Sequence, residues 1–386
     1  MLTSEQKKLF ELFKKFVAQN EERCFILQGH AGTGKTFMIG LFANYLKEQM
    51  MPFKLMASTG RAARILSQRT SFAANTIHKV IYNLNNIEET VEGSLRFHYK
   101  LNTPENDNVI YIIDESSMIS DVESAGEVIR FGSGRLLSDI FEFAGIKEIS
   151  NHSKVIFVGD PHQLPPVDMN TSPALDKNYL LNEHNVNAFL FNLSCIVRQV
   201  EANHIIDVAQ AIQRNIAERC FNELIIKPAE GQIEEVTREH IKELWRQNYH
   251  CDEGKLHPEI FCITYTNKTA LSYNITARSA IFGGNGDEPA RQGDYIMVIA
   301  NNRKTGLLNG DIARIMDIAP HSISRRIRVY SKGKPLYVDL SFRAVNIAFQ
   351  NIDGTITETS CNILENSLFS PYRSISIEEQ KALFIG

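Results

Sequence analysis

Short, wholly apolar runs alternate with helical periodicities through the first half of the chain. Thr3 to Asn20 places Leu9, Leu12, Phe13, Phe16 and Val17 at helical spacing, and Thr3 with Gln6 has the form of a capping box. "CFILQ" (Cys24 to Gln28) reads as a strand and "FMIGLFANYLKEQM" behind it as a helix. "FKLMAS" (Phe53 to Ser58) predicts the next strand and "RAARILSQ" the next helix. "NVIYIID" (Asn108 to Asp114) and "KVIFVGD" (Lys154 to Asp160) are two further apolar strands. Strands without polar alternation are buried on both faces. With helices between them they predict a parallel α/β sheet.

From about Leu193 the pattern restarts. "IFCITYT" (Ile260 to Thr266) predicts a strand and Asn267 to Ile281 a helix, so a second α/β unit is expected. Between about Gly293 and Thr359 the period changes to that of short strands: "DYIMVIA", "IARIMDI", "RIRVY", "LYVDL" and "AVNIAF". Turn signals such as "LNGD", "SKGKP" and "NIDG" separate them. This predicts a small antiparallel β module of compact-barrel type.

Composition narrows the class. A chain of 386 residues has room for two or three domains, and 43% hydrophobic with 22% charged residues is ordinary for a globular protein. No apolar run approaches the ~18 residues of a membrane span. The start, "LTSEQKK", shows no signal peptide, so no membrane partner is expected. The cysteines, at 24, 195, 220, 251, 262 and 361, form no CxxC pair. Neither a zinc site nor a disulfide framework is suggested, and a reducing, cytoplasmic setting is expected. A net charge of −4 argues against nucleic-acid binding by bulk charge but leaves room for a local basic groove.

"GHAGTGKT" (Gly29 to Thr36) fits G-x-x-x-x-G-K-[ST] and sits between a predicted strand and a predicted helix, the context of a phosphate-binding loop. Gly29, Ala31, Gly32, Thr33 and Gly34 would curl backbone N–H groups around the phosphates of ATP. Lys35 would reach the β/γ-phosphates and the Thr36 hydroxyl would ligate Mg²⁺. Asp114 ends an apolar strand, where it can hold Mg²⁺ through water; Glu115 beside it can orient or deprotonate the attacking water. Two solvated carboxylates at a strand end are the alternative. Ligands of a parallel sheet sit beyond its carboxyl ends. The strand ending at Gly159-Asp160 therefore delivers Gln163 of "GDPHQLPPV" toward the γ-phosphate, where it can donate to a phosphate oxygen and accept from the lytic water. Pro165 and Pro166 stiffen the segment behind it, so a change sensed at Gln163 can be passed along the chain; a plain proline-capped loop is the alternative.

These motifs, taken with "LTSEQ", "ASTGRAARIL", "NTIHKV", "IIDESSM", "VRQ" and "TYTNKTALSYN", resemble in type and order a superfamily 1 helicase of the RecD/Dda type, the group that includes exodeoxyribonuclease V alpha-subunit-like proteins. The resemblance implies P-loop NTPase motor domains with RecA-like parallel sheets and an SH3-like antiparallel β insertion in the second. It implies ATP-driven 5′→3′ movement on single-stranded DNA and separation of duplex junctions, with recombination or replication proteins as candidate partners. It divides the chain into a first motor domain (1–192, with a small hairpin insertion near 86–104), the start of a second (193–290), the β module (291–362) and a return to the second (363–386). Gln6 would read the adenine ring, or serve only its capping box. Arg198 would reach the γ-phosphate, or lie on the surface. Thr59, Arg61, Thr76 and His78 would contact the DNA backbone, with helix caps and a core histidine as alternatives. Thr264 and Asn267 would do the same in the second domain, unless Asn267 merely caps its helix. Phe97 in "ETVEGSLRFHYKL" would stack at the tip of a duplex-splitting hairpin, or pack beneath it. "RRIRVYSKGK" is the densest basic run and reads as a solvated hairpin or a DNA flank. The family's closing motifs, an "HKAQG"-like DNA contact and an "ALSR"-like arginine finger, do not occur in the sequence, so an incomplete second motor domain is expected. A non-motor ATP-binding switch within a larger complex is the second reading, and an RNA-directed motor a third.

Overall fold

Five of the six positions of the strand Cys24–Gly29 are buried, yet its side chains go to two different cores: Cys24 and Ile26 to one, Phe25 and Leu27 to the other. This is the continuous apolar strand expected of a sheet covered on both faces. The structure is a computed structural model that describes residues 2–90, 96–104, 106–124, 129–195, 203–220, 222, 225–249, 256, 258, 260–302, 304–331, 334–351, 354–372 and 375–385. They form two compact units. One holds the chain up to Glu89 and from Phe97 to Glu234; the other holds the chain from Glu235 onward with Thr90 and Arg96.

The first unit runs α1 (Ser4–Ala18), β1 (Cys24–Gly29), α2 (Lys35–Glu48), β2 (Phe53–Ala57), α3 (Gly60–Thr70), β3 (Ala74–Thr76), α4 (Ile77–Ile81), β4 (Tyr82–Thr90), β5 (Arg96–Leu101), β6 (Ile110–Asp114), β7 (Ile129–Phe131), α5 (Leu136–Phe143), β8 (Lys154–Gly159), α6 (Lys177–His184), β9 (Ala188–Leu193) and α7 (His204–Glu218). Its main sheet has the order β3-β2-β6-β8-β1-β9, parallel throughout. Leu9 and Phe13 of α1, Met38 and Phe42 of α2 and Leu66 of α3 cover one face; Phe13 and Phe42 stack at 4.0 Å between ring centroids. Ile81 of α4, Ile140 of α5 and Leu180 of α6 cover the other.

Lys154 opens β8 and is buried, so its charge needs partners. Its Nζ donates to the carbonyls of Phe16 at 2.5 Å, Val17 at 3.3 Å and Gln19, the orphan carbonyls at the end of α1. Burial, with Arg23 nearby, pushes its pKa down to about 8. The first helix is thereby tied to the strand beside β1. A second sheet, β4-β5-β7, lies where the hairpin insertion is expected. Phe97 is level with Ile129 of β7 in the backbone register; its side chain and the connection 91–95 lie outside the described residues.

The second unit departs from expectation in three places. It contains α8 (Arg238–Asn248), α9 (Asn267–Phe282), β10 (Tyr295–Met297), β11 (Ile312–Ile318), β12 (Ile323–Ser331), β13 (Lys334–Gln350), β14 (Ile356–Leu364) and α10 (Ile377–Ile385). The strand expected over Ile260–Thr266 does not form: Ile263 and Tyr265 are fully exposed, and no described residue pairs with the segment. An apolar strand needs neighbours on its edges and cover on its faces, and no parallel sheet is found among the described residues of this unit. The antiparallel module does form, in the order β10-β11-β13-β12 with β14 also paired to β13. However, "LYVDL" and "AVNIAF" are one strand, because the intervening "SFR" offers no glycine or proline to turn the chain. "ITETSCNIL" supplies a fifth strand whose sides alternate between exposed and half-buried, a pattern too polar to announce itself. Ala382 of α10 packs against Val329, Val338 and Leu340 of this sheet. No helix among the described residues is long and apolar enough to cross a membrane.

Candidate nucleotide-binding site

The glycine-rich loop joins β1 to α2 at the carboxyl edge of the six-stranded sheet, with β8 and β9 on either side of β1. Gly32 (φ 85°) and Gly34 (φ 91°) hold the left-handed backbone that turns the loop's N–H groups inward. Thr33 is buried and its Oγ1 donates to the His30 carbonyl at 2.8 Å. Lys35 Nζ donates to the carbonyls of Gly29 at 2.6 Å and His30 at 3.1 Å, so its charge lies along the loop it would share with phosphates. Ala31 is exposed, and Thr36 is the second residue of α2, half-buried. Loop amides, a helix N-terminus and a lysine make an anion cradle.

Two neighbouring strand ends supply the acids and the amide. Asp114 closes β6, level with Ala57 of β2, and is buried. Its Oδ1 accepts from the Glu115 N–H at 3.0 Å. Burial first, then the Glu115 charge, pushes its pKa up to about 6 against the opposing pull of Lys35 and Arg69. A carboxylate destabilised in this way fits a divalent cation, which would restore its ionised form. Glu115 has φ 53°, unusual for a residue with a side chain, and starts the tight turn Ser116–Met118. Ser117 Oγ of that turn donates to Gln163 Oε1 at 3.3 Å. The approach depends on Gly159. A Cβ there would stand 3.2 Å from the Ser117 N and 2.8 Å from Leu175 Cδ1. Gln163 is otherwise exposed, as are Leu164 and Val167 beyond it.

Gln6 is buried against the loop rather than free above it. Its Oε1 accepts from the Thr3 N–H at 3.1 Å, Thr3 Oγ1 accepts from the Gln6 N–H at 3.1 Å, and its Nε2 donates to the Thr33 carbonyl at 3.5 Å. One side chain thus closes the capping box of α1 and touches the phosphate loop. Thr3→Ala should cost about 1 kcal/mol in a urea melt, the usual worth of such a cap; no measurable loss would mean the box is not holding α1.

The remaining expected residues are dispersed. Thr59 and Thr76 cap α3 and α4, their hydroxyls accepting from the N–H of Ala62 at 3.1 Å and Lys79 at 3.3 Å. Thr59 lies just past the carboxyl end of β2 and Thr76 closes the neighbouring β3, on the same edge as the phosphate loop. Arg61 is exposed in the first turn of α3. His78 is half-buried between Tyr82 and Phe131, and burial pushes its pKa down against the pull of Asp139. Arg198 lies outside the described residues. In the second unit Thr264 Oγ1 donates to the Thr266 carbonyl, and Thr266, not Asn267, caps α9. Asn267 is exposed as the first helical residue. Sequence reasoning missed Ser117, together with His30, Asp160 and His162, which converge beside the loop.

Residues 14–169 match a family model described as an AAA domain, which spans this loop, both acids and Gln163. An uncharacterised protein of Methanocaldococcus jannaschii is 33% identical over 155 residues, 38% of this chain and 12% of its own length. An uncharacterised protein of Acanthamoeba polyphaga mimivirus is 26% identical over 185 residues, 43% of this chain and 34% of its own. The chain thus spans a minor part of these relatives. Among solved structures, the Pif1 helicase from Candida albicans is 16% identical, with a TM-score of 0.39 covering 95% of this chain and 84% of that one. The first unit is an α/β fold with a parallel six-stranded sheet, and the loop after its β1 strand has the P-loop sequence form.

Proposed function

We propose that this chain binds Mg-ATP at the β1–α2 loop and couples its hydrolysis to 5′→3′ movement on single-stranded DNA, as a superfamily 1 helicase-type motor. The observation that carries the reading is the Ser117–Gln163 hydrogen bond, which joins the turn behind Asp114-Glu115 to the segment leading away through Pro165 and Pro166. Lys35 and the loop amides hold the phosphates. Thr36 and Asp114 are the residues that would hold Mg²⁺, which would supply neutralisation of the phosphate charge. Glu115 takes the proton from water as its oxygen attacks the γ-phosphorus and the bond to ADP breaks. Gln163 reports the γ-phosphate to the segment behind it. Thr59, Arg61, Thr76 and His78 provide the sequence-independent strand contacts, Thr264 and Asn267 those of the second unit, Phe97 the stacking face and Arg198 the γ-phosphate contact. Direction, unwinding and the recombination setting rest on the motif resemblance.

ATP hydrolysis measured alone, with single-stranded DNA and with RNA tests the proposal. DNA should stimulate several-fold, and Gln163→Ala should keep ATP binding and lose most of the stimulated rate. Equal loss of basal and stimulated rates would make Gln163 a plain catalytic group. Absence of stimulation by either polymer would make the chain a non-motor ATP-binding module, and preference for RNA would redirect the motor. Unwinding is read separately, on a duplex with a 5′ single-stranded tail, excess ATP and a trap strand.

A further inference from the structure

We propose that His30, Asp160 and His162 form a site for one divalent transition-metal ion of the zinc class, set at the root of the phosphate-binding loop. Gln28 of β1 is level with Gly159 of β8 in the parallel register, so the residues just beyond each strand end, His30 and Asp160, emerge side by side. Asp160 is buried. Its Oδ1 lies 3.3 Å from His30 Nδ1 and 3.6 Å from His162 Nδ1. The same oxygen accepts from the His162 N–H at 3.0 Å, which turns the chain so that the imidazole comes back toward it. The two rings are tilted by 46° to each other, with 5.0 Å between centroids.

The ligand atoms of the three residues lie within 4.8 Å of one another. Both Nδ1 atoms are out of solvent and neither makes an aligned hydrogen bond with any described residue, although both stand beside a carboxylate oxygen. Unsatisfied buried nitrogens are costly, and a pair converging on one oxygen is costly twice. A cation shared by the three atoms resolves both. Bonds of about 2.0–2.1 Å in a tetrahedron make its edges about 3.3–3.4 Å, close to the two N···O separations. The third edge, between the two imidazole nitrogens, is at most 4.8 Å and would shorten as the rings close on the ion. Two imidazoles and a carboxylate leave the fourth position open, the form of an exchangeable site rather than a closed structural one. Imidazole donors select zinc, cobalt, nickel or copper over Mg²⁺, so this site is chemically separate from Thr36 and Asp114.

The ion would have a mechanical effect. The His30 carbonyl accepts from Thr33 Oγ1 and Lys35 Nζ, and Gln163 follows His162 directly. Coordination would pin the first residue of the loop to the segment that carries Gln163. The inference needs no motor activity and stands whether or not the chain moves on DNA.

The test uses the full chain, stripped with chelator and held in millimolar Mg²⁺ without nucleotide. Zn²⁺ titrated by calorimetry should bind at one per chain. His30→Ala and His162→Ala should each weaken it by about 10–100-fold or more, since even outer-sphere partners of metal ligands are worth that much. His152→Ala, at an exposed histidine elsewhere, should leave it unchanged. Thermal melts of each variant separate lost ligation from lost folding. His30→Cys and His162→Cys give a readout that folding cannot mimic: Co²⁺ bound to either should show thiolate charge-transfer absorption. Zn²⁺ binding equal in both alanine variants, displacement by Mg²⁺, or absence of the thiolate band in both cysteine variants would overturn the proposal.

Discussion

Glu115→Gln should bind Mg-ATP as the parent chain does and hydrolyse it about 10²-fold or more slowly, from the lower end of what a general base contributes upward. The substitution keeps shape and removes only the ability to take a proton. Three features make Glu115, rather than Asp114, the candidate base. It is half-buried where Asp114 is buried, so water can reach it. No side-chain hydrogen bond among the described residues holds its carboxylate, whereas Asp114 is engaged with the Glu115 N–H. Its φ of 53° is a strained choice for a residue with a side chain, and strain of that kind persists where the surroundings fix a group in place. Nucleotide affinity by fluorescence titration and turnover by phosphate release settle the point together. Near-normal turnover with intact binding would remove Glu115 from the chemistry.

The parts of this molecule that were legible in the sequence are those with fixed spacing. The loop from Gly29 to Thr36 could be placed because strand, glycines, lysine and helix must follow one another within a few residues. Asp114 and Gly159 were legible because an apolar strand that ends in a small or acidic residue has little else to do in a parallel sheet. Contacts made across the sheet were not legible. Ser117 meets Gln163 only because β6 and β8 are neighbours, and His30 meets Asp160 only because β1 lies beside β8. Strand order is not written in local periodicity. Ile260–Thr266 shows the opposite failure. Its apolar run has the composition of a strand, but a strand is defined by partners, and the described residues supply none. The long β13 strand was divided because two apolar groups separated by "SFR" look like two elements until the absence of a turn residue is given its due. Gln6 was read as either cap or site, yet its two ends reach Thr3 and Thr33 at once.

Asp114→Asn should make the metal-free protein more stable at neutral pH while removing most of its Mg-dependent turnover. The carboxyl is buried, and its pKa is pushed up to about 6 from an ordinary 3.8, by burial and then by Glu115. A raised carboxyl pKa means that the native state holds the proton more tightly than the unfolded chain does. The resulting stability is full below the unfolded value near 3.8 and is lost as pH rises through about 6. At pH 7 the ionised group is therefore a liability of roughly 3 kcal/mol at most, from ~1.4 kcal/mol per pKa unit. Asparagine keeps an oxygen to accept from the Glu115 N–H and carries no charge to desolvate. In chelator at pH 7 the variant should unfold at higher denaturant than the parent, and the gap should close as pH falls toward 4. Added Mg²⁺ with nucleotide should stabilise the parent by mass action and the variant far less, because the charge that would face the cation is gone. The gain without metal and the loss with it are one trade: a site kept unstable so that an ion can restore it. A variant less stable than the parent in chelator at pH 7 would mean that the carboxylate already has a partner in the metal-free fold, and the reading of Asp114 as a cation ligand would have to be given up.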